Sequence, residues 1–103
     1  MRAHGLLFAC VLAPCLLAQE PLYEAELIFP LDRLHNHSSS IVELPGGELM
    51  VCWYRGSGER TADDVQIMAA RRAAGQSRWS EPFVLADTPG FPDCNPVLFV
   101  DSR

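Results

Sequence analysis

The chain contains no lysine, so its eight basic residues are all arginine, set against thirteen acidic ones for a formal net charge of −5. That shortage excludes two classes of partner. No basic stripe is present of the kind that neutralises a phosphate backbone, so no nucleic-acid partner is expected. No polybasic cluster offers itself to an anionic membrane surface either. The preference for arginine is read as a mark of genomic base composition rather than of function. Cysteine is also sparse, with four in 103 residues. Cys10 and Cys15 fall in the leader described below, which leaves Cys52 and Cys94. Two cysteines that far apart have no zinc-site spacing, so neither a metal nor any other cofactor is expected. An even number in an exported chain permits a disulfide. The favoured reading is instead that Cys52, inside "LMVCWY", is a small buried apolar residue.

Long apolar runs are lacking too, except at the start. Arg2 followed by "GLLFACVLAPCLLA" and the small residue Ala18 has the layout of a secretory signal peptide over residues 1–18. The run is too short for a comfortable membrane span. The protein is therefore expected to be secreted or periplasmic, with cleavage near Ala18. "LAPC" loosely resembles a lipoprotein box, but Pro14 before the cysteine fits it poorly. Apolar residues make 49% of the chain and charged ones 20%, so wholesale disorder is not expected, and the length allows one small domain at most.

No helical period follows residue 20, and the chain is expected to be all-β. Short β-branched and aromatic runs bounded by Gly, Pro, Asn and Asp predict six strands. They are "LYEAELIF" (Leu22–Phe29), "HNHSSSIVEL" (His35–Leu44), "ELMVCWYRG" (Glu48–Gly56), "DVQIMAARR" (Asp64–Arg72), "EPFVLAD" (Glu81–Asp87) and "NPVLFVD" (Asn95–Asp101). Pro45-Gly46-Gly47 marks a tight hairpin, because glycine reaches positive φ without steric cost. Val65, Ile67 and Ala69 alternate with Gln66, Met68 and Ala70, which suggests one face in a core. Trp53 and Tyr54 are read as core rather than as a sugar platform. A weak repeat superposes Ile41-Val42-Glu43-Leu44 on Val97-Leu98-Phe99-Val100, an offset of 56 residues. That is near the length of one four-stranded propeller blade with a generous loop. A lone blade leaves an open edge and an uncovered apolar face, so the chain is expected to be the N-terminal piece of a longer protein.

Taken in order, "SSIVELPGGEL", "GSGERTADDV", "RWSEPFVLAD" and "NPVLF" resemble the opening of the sialidase-like six-bladed β-propellers with Asp-box repeats. The resemblance covers about residues 30 to 103. It implies a leader over 1–18, a lead-in over 19–35 and a partial propeller over 36–103, namely the first blade and the first strand of the second. It also implies a retaining glycosidase acting on a glycan or glycoconjugate. In such enzymes a tyrosine paired with a glutamate attacks the anomeric carbon, an aspartate is the acid/base and three arginines hold the sugar carboxylate. A neutral nucleophile avoids the repulsion that a carboxylate would meet from an anionic sugar.

By this resemblance the acid/base aspartate lies on the loop joining the second and third strands of the first blade. That loop is "RGSGERTADDV", which puts Asp64, or its neighbour Asp63, in the role. The chemistry wants such a carboxyl partly desolvated, so that its pKa rises toward the working pH. Glu59 is placed to accept a sugar hydroxyl, and Arg55 and Arg60 to pair with an anionic group or with the loop's own acids. The plainer reading is a solvated turn whose charges pair for ~0–1 kcal/mol. Where the family carries a clamp arginine this chain has "HNHSSSIVEL", with His37 or His35 in its place. A histidine binds a hydroxyl or carries a proton, but it is no permanent bidentate fork. Sialic acid itself is thereby put in doubt. The Asp box is degraded to "RAAGQSRW", with Trp79 expected to pack at the blade's edge. "TPGFPDCNP" brings Asp93 and Asn95 toward the mouth as minor candidates. The nucleophilic tyrosine and the other arginines would come from later blades, so this chain alone carries an incomplete site. The competing functional class is a propeller that binds carbohydrate or protein without hydrolysing it.

Overall fold

A computed structural model describes residues 21–58 and 61–102. The described chain is all-β and contains one antiparallel sheet of four strands in the order β1-β2-β3-β4, so each strand pairs with the one before it. The strands are β1 (His35–Glu43), β2 (Leu49–Gly56), β3 (Gln66–Arg72) and β4 (Phe83–Ala86). The β1–β2 connection is the expected hairpin. Gly46 and Gly47 sit at φ 96° and 84°, and the Gly47 amide donates to the Leu44 carbonyl at 3.0 Å. Gly75, at φ 71°, makes the equivalent left-handed step between β3 and β4, a position that costs glycine nothing.

The two inner strands are buried on both faces. Met50, Cys52 and Tyr54 of β2 join Val65, Ile67 and Ala69 in one cluster, and Val51 and Trp53 join Met68 and Ala70 in the other. The alternation in β3 therefore separates two cores rather than core from solvent. Each cluster is closed by chain outside the sheet. Leu98, with Val42, Leu44 and Ala62, packs on the Tyr54 face, while Ile28, Phe29 and Trp79 pack on the Trp53 face. Hence the lone sheet does not leave its inner strands bare.

These covering segments correct two expectations. Leu22–Phe29 and Asn95–Asp101 form no strand, because neither finds a backbone ladder to join. The first is held by side chains. Glu26 accepts from Arg72 Nη1 at 2.6 Å and from Trp79 Nε1 at 3.2 Å, and the Arg72 guanidinium lies 5.0 Å from the Trp79 ring centroid. Trp79 is thus a packing residue, seated against the Trp53-face cluster. The second segment is stitched to β1 through serines, with Ser40 Oγ accepting from the Leu98 amide at 3.0 Å. Its other side is open, leaving Val97 78% and Phe99 80% exposed. Cys52 is buried, Cys94 is exposed, and no disulfide joins them. Burial pushes the Cys52 thiol pKa up.

Candidate functional site

One end of the sheet collects most of the candidate residues. It is formed by the start of β1, the end of β2, the β2–β3 loop and the connection after β4. Gly56 shapes this end. A Cβ there would lie 2.8 Å from both Cα and Cγ2 of Val65 and 3.0 Å from the Asp64 carbonyl. Glycine alone lets the returning loop lie against β2. That approach brings Asp64 back to Ser57, where Asp64 Oδ1 accepts from the Ser57 amide at 3.0 Å and from Ser57 Oγ at 2.9 Å.

The two Ser57 bonds hold the exposed Asp64 carboxyl below the ordinary aspartate range, the backbone bond being the larger cause. The acid/base role asks for the opposite shift; among the described residues Ser57 stabilises the charged form. Asp63 is exposed beside it. Glu59 and Arg60 lie outside the described residues.

Strand geometry separates candidates that the sequence places together. Adjacent strand residues point to opposite faces. His37 is registered with Tyr54, and Asn36 with Arg55. On the first face the His37 and Tyr54 rings lie 5.7 Å apart, and His35 stacks on His37 at 5.0 Å. His35 Nδ1 is buried there with no hydrogen-bond partner among the described residues. Arg55 lies on the second face and pairs with neither loop aspartate. Its Nε donates to Asp32 Oδ2 at 3.1 Å, and its Nη2 bonds the same oxygen. Asp32 also accepts from the Leu34 amide at 2.9 Å and from Asn36 Nδ2 at 3.2 Å. Arg55 first, with these bonds, holds the Asp32 carboxyl below its ordinary range. Asn36 Oδ1 then accepts from Trp53 Nε1 at 2.9 Å. Trp53 and Tyr54 are core residues, 4% and 2% exposed.

The connection after β4 is rigid for a stated reason. The Asp93 carboxylate accepts from the Thr88 amide at 2.6 Å and from Thr88 Oγ1 at 2.9 Å, while the Asp93 amide donates to the Val65 carbonyl at 2.9 Å. Asp93 therefore fastens this connection to the foot of the Asp64 loop and serves as a clasp. Asn95, two residues on, takes φ 53° and accepts from Ser38 Oγ at 3.0 Å. Ser38 itself lies at φ 50°, where the β1–β2 register slips between His37 and Ser40.

Beside that bulge is a cavity of about 360 Å³, with Phe29 and Trp53 on one side and His37, Ser38 and Ser39 on the other. The Phe29 and Trp53 rings stack at 5.0 Å with planes 18° apart. Asp32, Asn36 and Ser38 were not singled out from the sequence. For Asn36 and Ser38 the trace there is the polar run "HNHSSS" where a strand should start. Among the described residues no three His, Cys, Asp or Glu side chains gather to hold a metal ion. This end of the sheet thus carries a carboxylate, an imidazole and hydroxyls. Comparison of the chain with protein-family models, with curated proteins and with solved structures returns no match.

Proposed function

We propose that this chain supplies the first blade of an exported, sialidase-like glycoside hydrolase that cleaves terminal sugars from glycans with retention. One observation carries the reading. The β2–β3 loop of a four-stranded antiparallel meander delivers Asp64 to the same end of the sheet as His37 and Asn95. A loop held on a rigid sheet is a usual seat for site residues. The outward apolar side of Val97 and Phe99 is the surface on which a next blade would pack. In this reading Asp64 faces the scissile bond, His37 and Asn95 contact sugar hydroxyls, and the nucleophile comes from elsewhere in the assembled propeller. Arg55 is withdrawn from substrate binding, because Asp32 holds it on the other face. Glu59 and Arg60 keep the substrate-contacting roles expected of them.

A second reading is favoured by the lowered Asp64 pKa. A carboxylate fixed as an acceptor suits a propeller that binds glycan without hydrolysing it. Sequencing the reading frame past the codon for Arg103 separates the two. Further four-strand units with a tyrosine–glutamate pair and new arginines support the hydrolase. Units without those residues support the binder, and a stop codon directly after Arg103 overturns both.

A further inference from the structure

We infer that the hollow beside the β1 bulge is a subsite for a neutral sugar, recognised by hydroxyl contacts and an aromatic wall with no carboxylate clamp. The inference deepens the glycan reading above and rests on it. Three observations lead there.

The first is the backbone. Ser38 and Asn95 are the two non-glycine residues with positive φ among the described residues, and they hold each other through the 3.0 Å Ser38 Oγ–Asn95 Oδ1 bond. A conformation of that kind persists only where its surroundings over-determine it. Here its effect is local. The register slip between His37 and Ser40 takes Ser38 and Ser39 off the β2 ladder and turns them toward the cavity, as bulges re-aim side chains.

The second is the lining. At about 360 Å³ the cavity falls within the size range of small-molecule sites. Phe29, half-buried and stacked on Trp53, gives it an apolar wall. Ser38 and Ser39, off the β2 ladder, give it hydroxyls on the β1 side, while the His37 ring lies with Tyr54 on the other face. A pyranose has the same division, an apolar C–H face and an edge of hydroxyls that both donate and accept.

The third is charge. Among the described residues no arginine lines this cavity. Arg55, the nearest in sequence, is bound to Asp32, and Asn36 between them is already committed to Trp53 and Asp32. An anionic sugar would enter without the permanent fork that carboxylate recognition uses. A neutral sugar has no such requirement.

The test is saturation-transfer NMR on the purified protein, with lactose and sialyllactose each added alone. Two variants accompany it. Ser39→Trp, at an exposed position, fills the cavity mouth, and Asp64→Asn alters the loop without touching the cavity. Amide spectra confirm that each variant is folded. The expected result is transfer to lactose that falls at least tenfold in Ser39→Trp. Transfer to sialyllactose only through its sialic acid protons overturns the neutral-sugar assignment and leaves the glycan reading standing. Lactose transfer that survives Ser39→Trp but vanishes in Asp64→Asn moves the sugar to the loop and overturns the subsite. Transfer to neither sugar overturns the subsite and counts against the glycan reading as well.

Discussion

Replacing Gly56 with alanine tests whether the loop that carries Asp64 is placed by a close approach of backbone to backbone. A methyl group at this position meets Val65 Cα and Cγ2 at 2.8 Å and the Asp64 carbonyl at 3.0 Å. Two of those three atoms are backbone, so no side-chain rotation relieves the clash. The strand must move away from the loop, and Gly56 is paired with His35 across β1. Forcing a methyl group into such a site costs about 1–3 kcal/mol. For a domain of this size each kcal/mol lowers Tm by roughly 4–8 °C. Urea denaturation followed by tryptophan fluorescence is the assay, since Trp53 is buried in the folded sheet. The control is Ala70→Gly, which leaves a small gap in β3 without pushing on the loop. A loss within the stated range, with shifted amide signals for Ser57 and Asp64, is expected. A Gly56→Ala protein within about 0.5 kcal/mol of the parent, with those two signals unmoved, would show that the loop is not held this way.

Other outcomes follow from the same contacts. Trp53→Ala removes a buried ring, its bond to Asn36 and its stacking on Phe29, and denaturant titration is expected to show a loss of about 3–5 kcal/mol. Thiol labelling should modify the exposed Cys94 quickly and the buried Cys52 only as fast as the protein unfolds; rapid labelling of both contradicts the packing described. Asp32 and Asp64 both have folded pKa values below the unfolded one. Their contribution to stability is therefore complete above the ordinary aspartate value of about 3.9 and is lost as pH falls through the lower folded values. Acid titration of Asp32→Asn and Asp64→Asn should each show a shallower loss below about pH 4 than the parent. Asn95→Ala, which keeps the left-handed backbone but breaks the Ser38 bond, should be destabilised by about 1–2 kcal/mol, and Asn95→Gly by less.

The inner part of the fold was legible in the sequence because β2 and β3 each carry an unbroken apolar run, Leu49–Tyr54 and Ile67–Ala70. Pro45-Gly46-Gly47 fixed the hairpin between β1 and β2 through a backbone requirement that few residues meet. The flanking segments were misread for a physical reason. Leu22–Phe29 and Asn95–Asp101 have strand composition, yet a strand is defined by the partner it bonds, and composition names no partner. Their long-range anchors, Glu26 to Arg72 and Leu98 to Ser40, join residues that are 46 and 58 positions apart.

The candidate site divides in the same way. Asp64 on its loop, Asn95 in the connection after β4 and His37 in β1 are polar residues that pattern alone brings to notice. Grouping Arg55 with the loop acids overlooked the alternation of a strand, which sends Arg55 and Tyr54 to opposite faces. The partner that claims Arg55 is Asp32, in a lead-in whose course no local pattern reveals. The upward pKa that acid/base chemistry asks of Asp64 presumes burial, whereas Ser57 stabilises the charged form at an exposed position.

The central claim is that the Asp64 end of this sheet is one wall of a retaining glycosidase pocket. Its most direct test is turnover of a panel of fluorogenic glycosides by the protein expressed from its complete reading frame, with the released sugar's anomer followed by proton NMR. The account predicts hydrolysis with retained configuration and a fall in kcat of at least a hundredfold in Asp64→Asn. Turnover that is inverting, or that Asp64→Asn leaves unchanged, would contradict it.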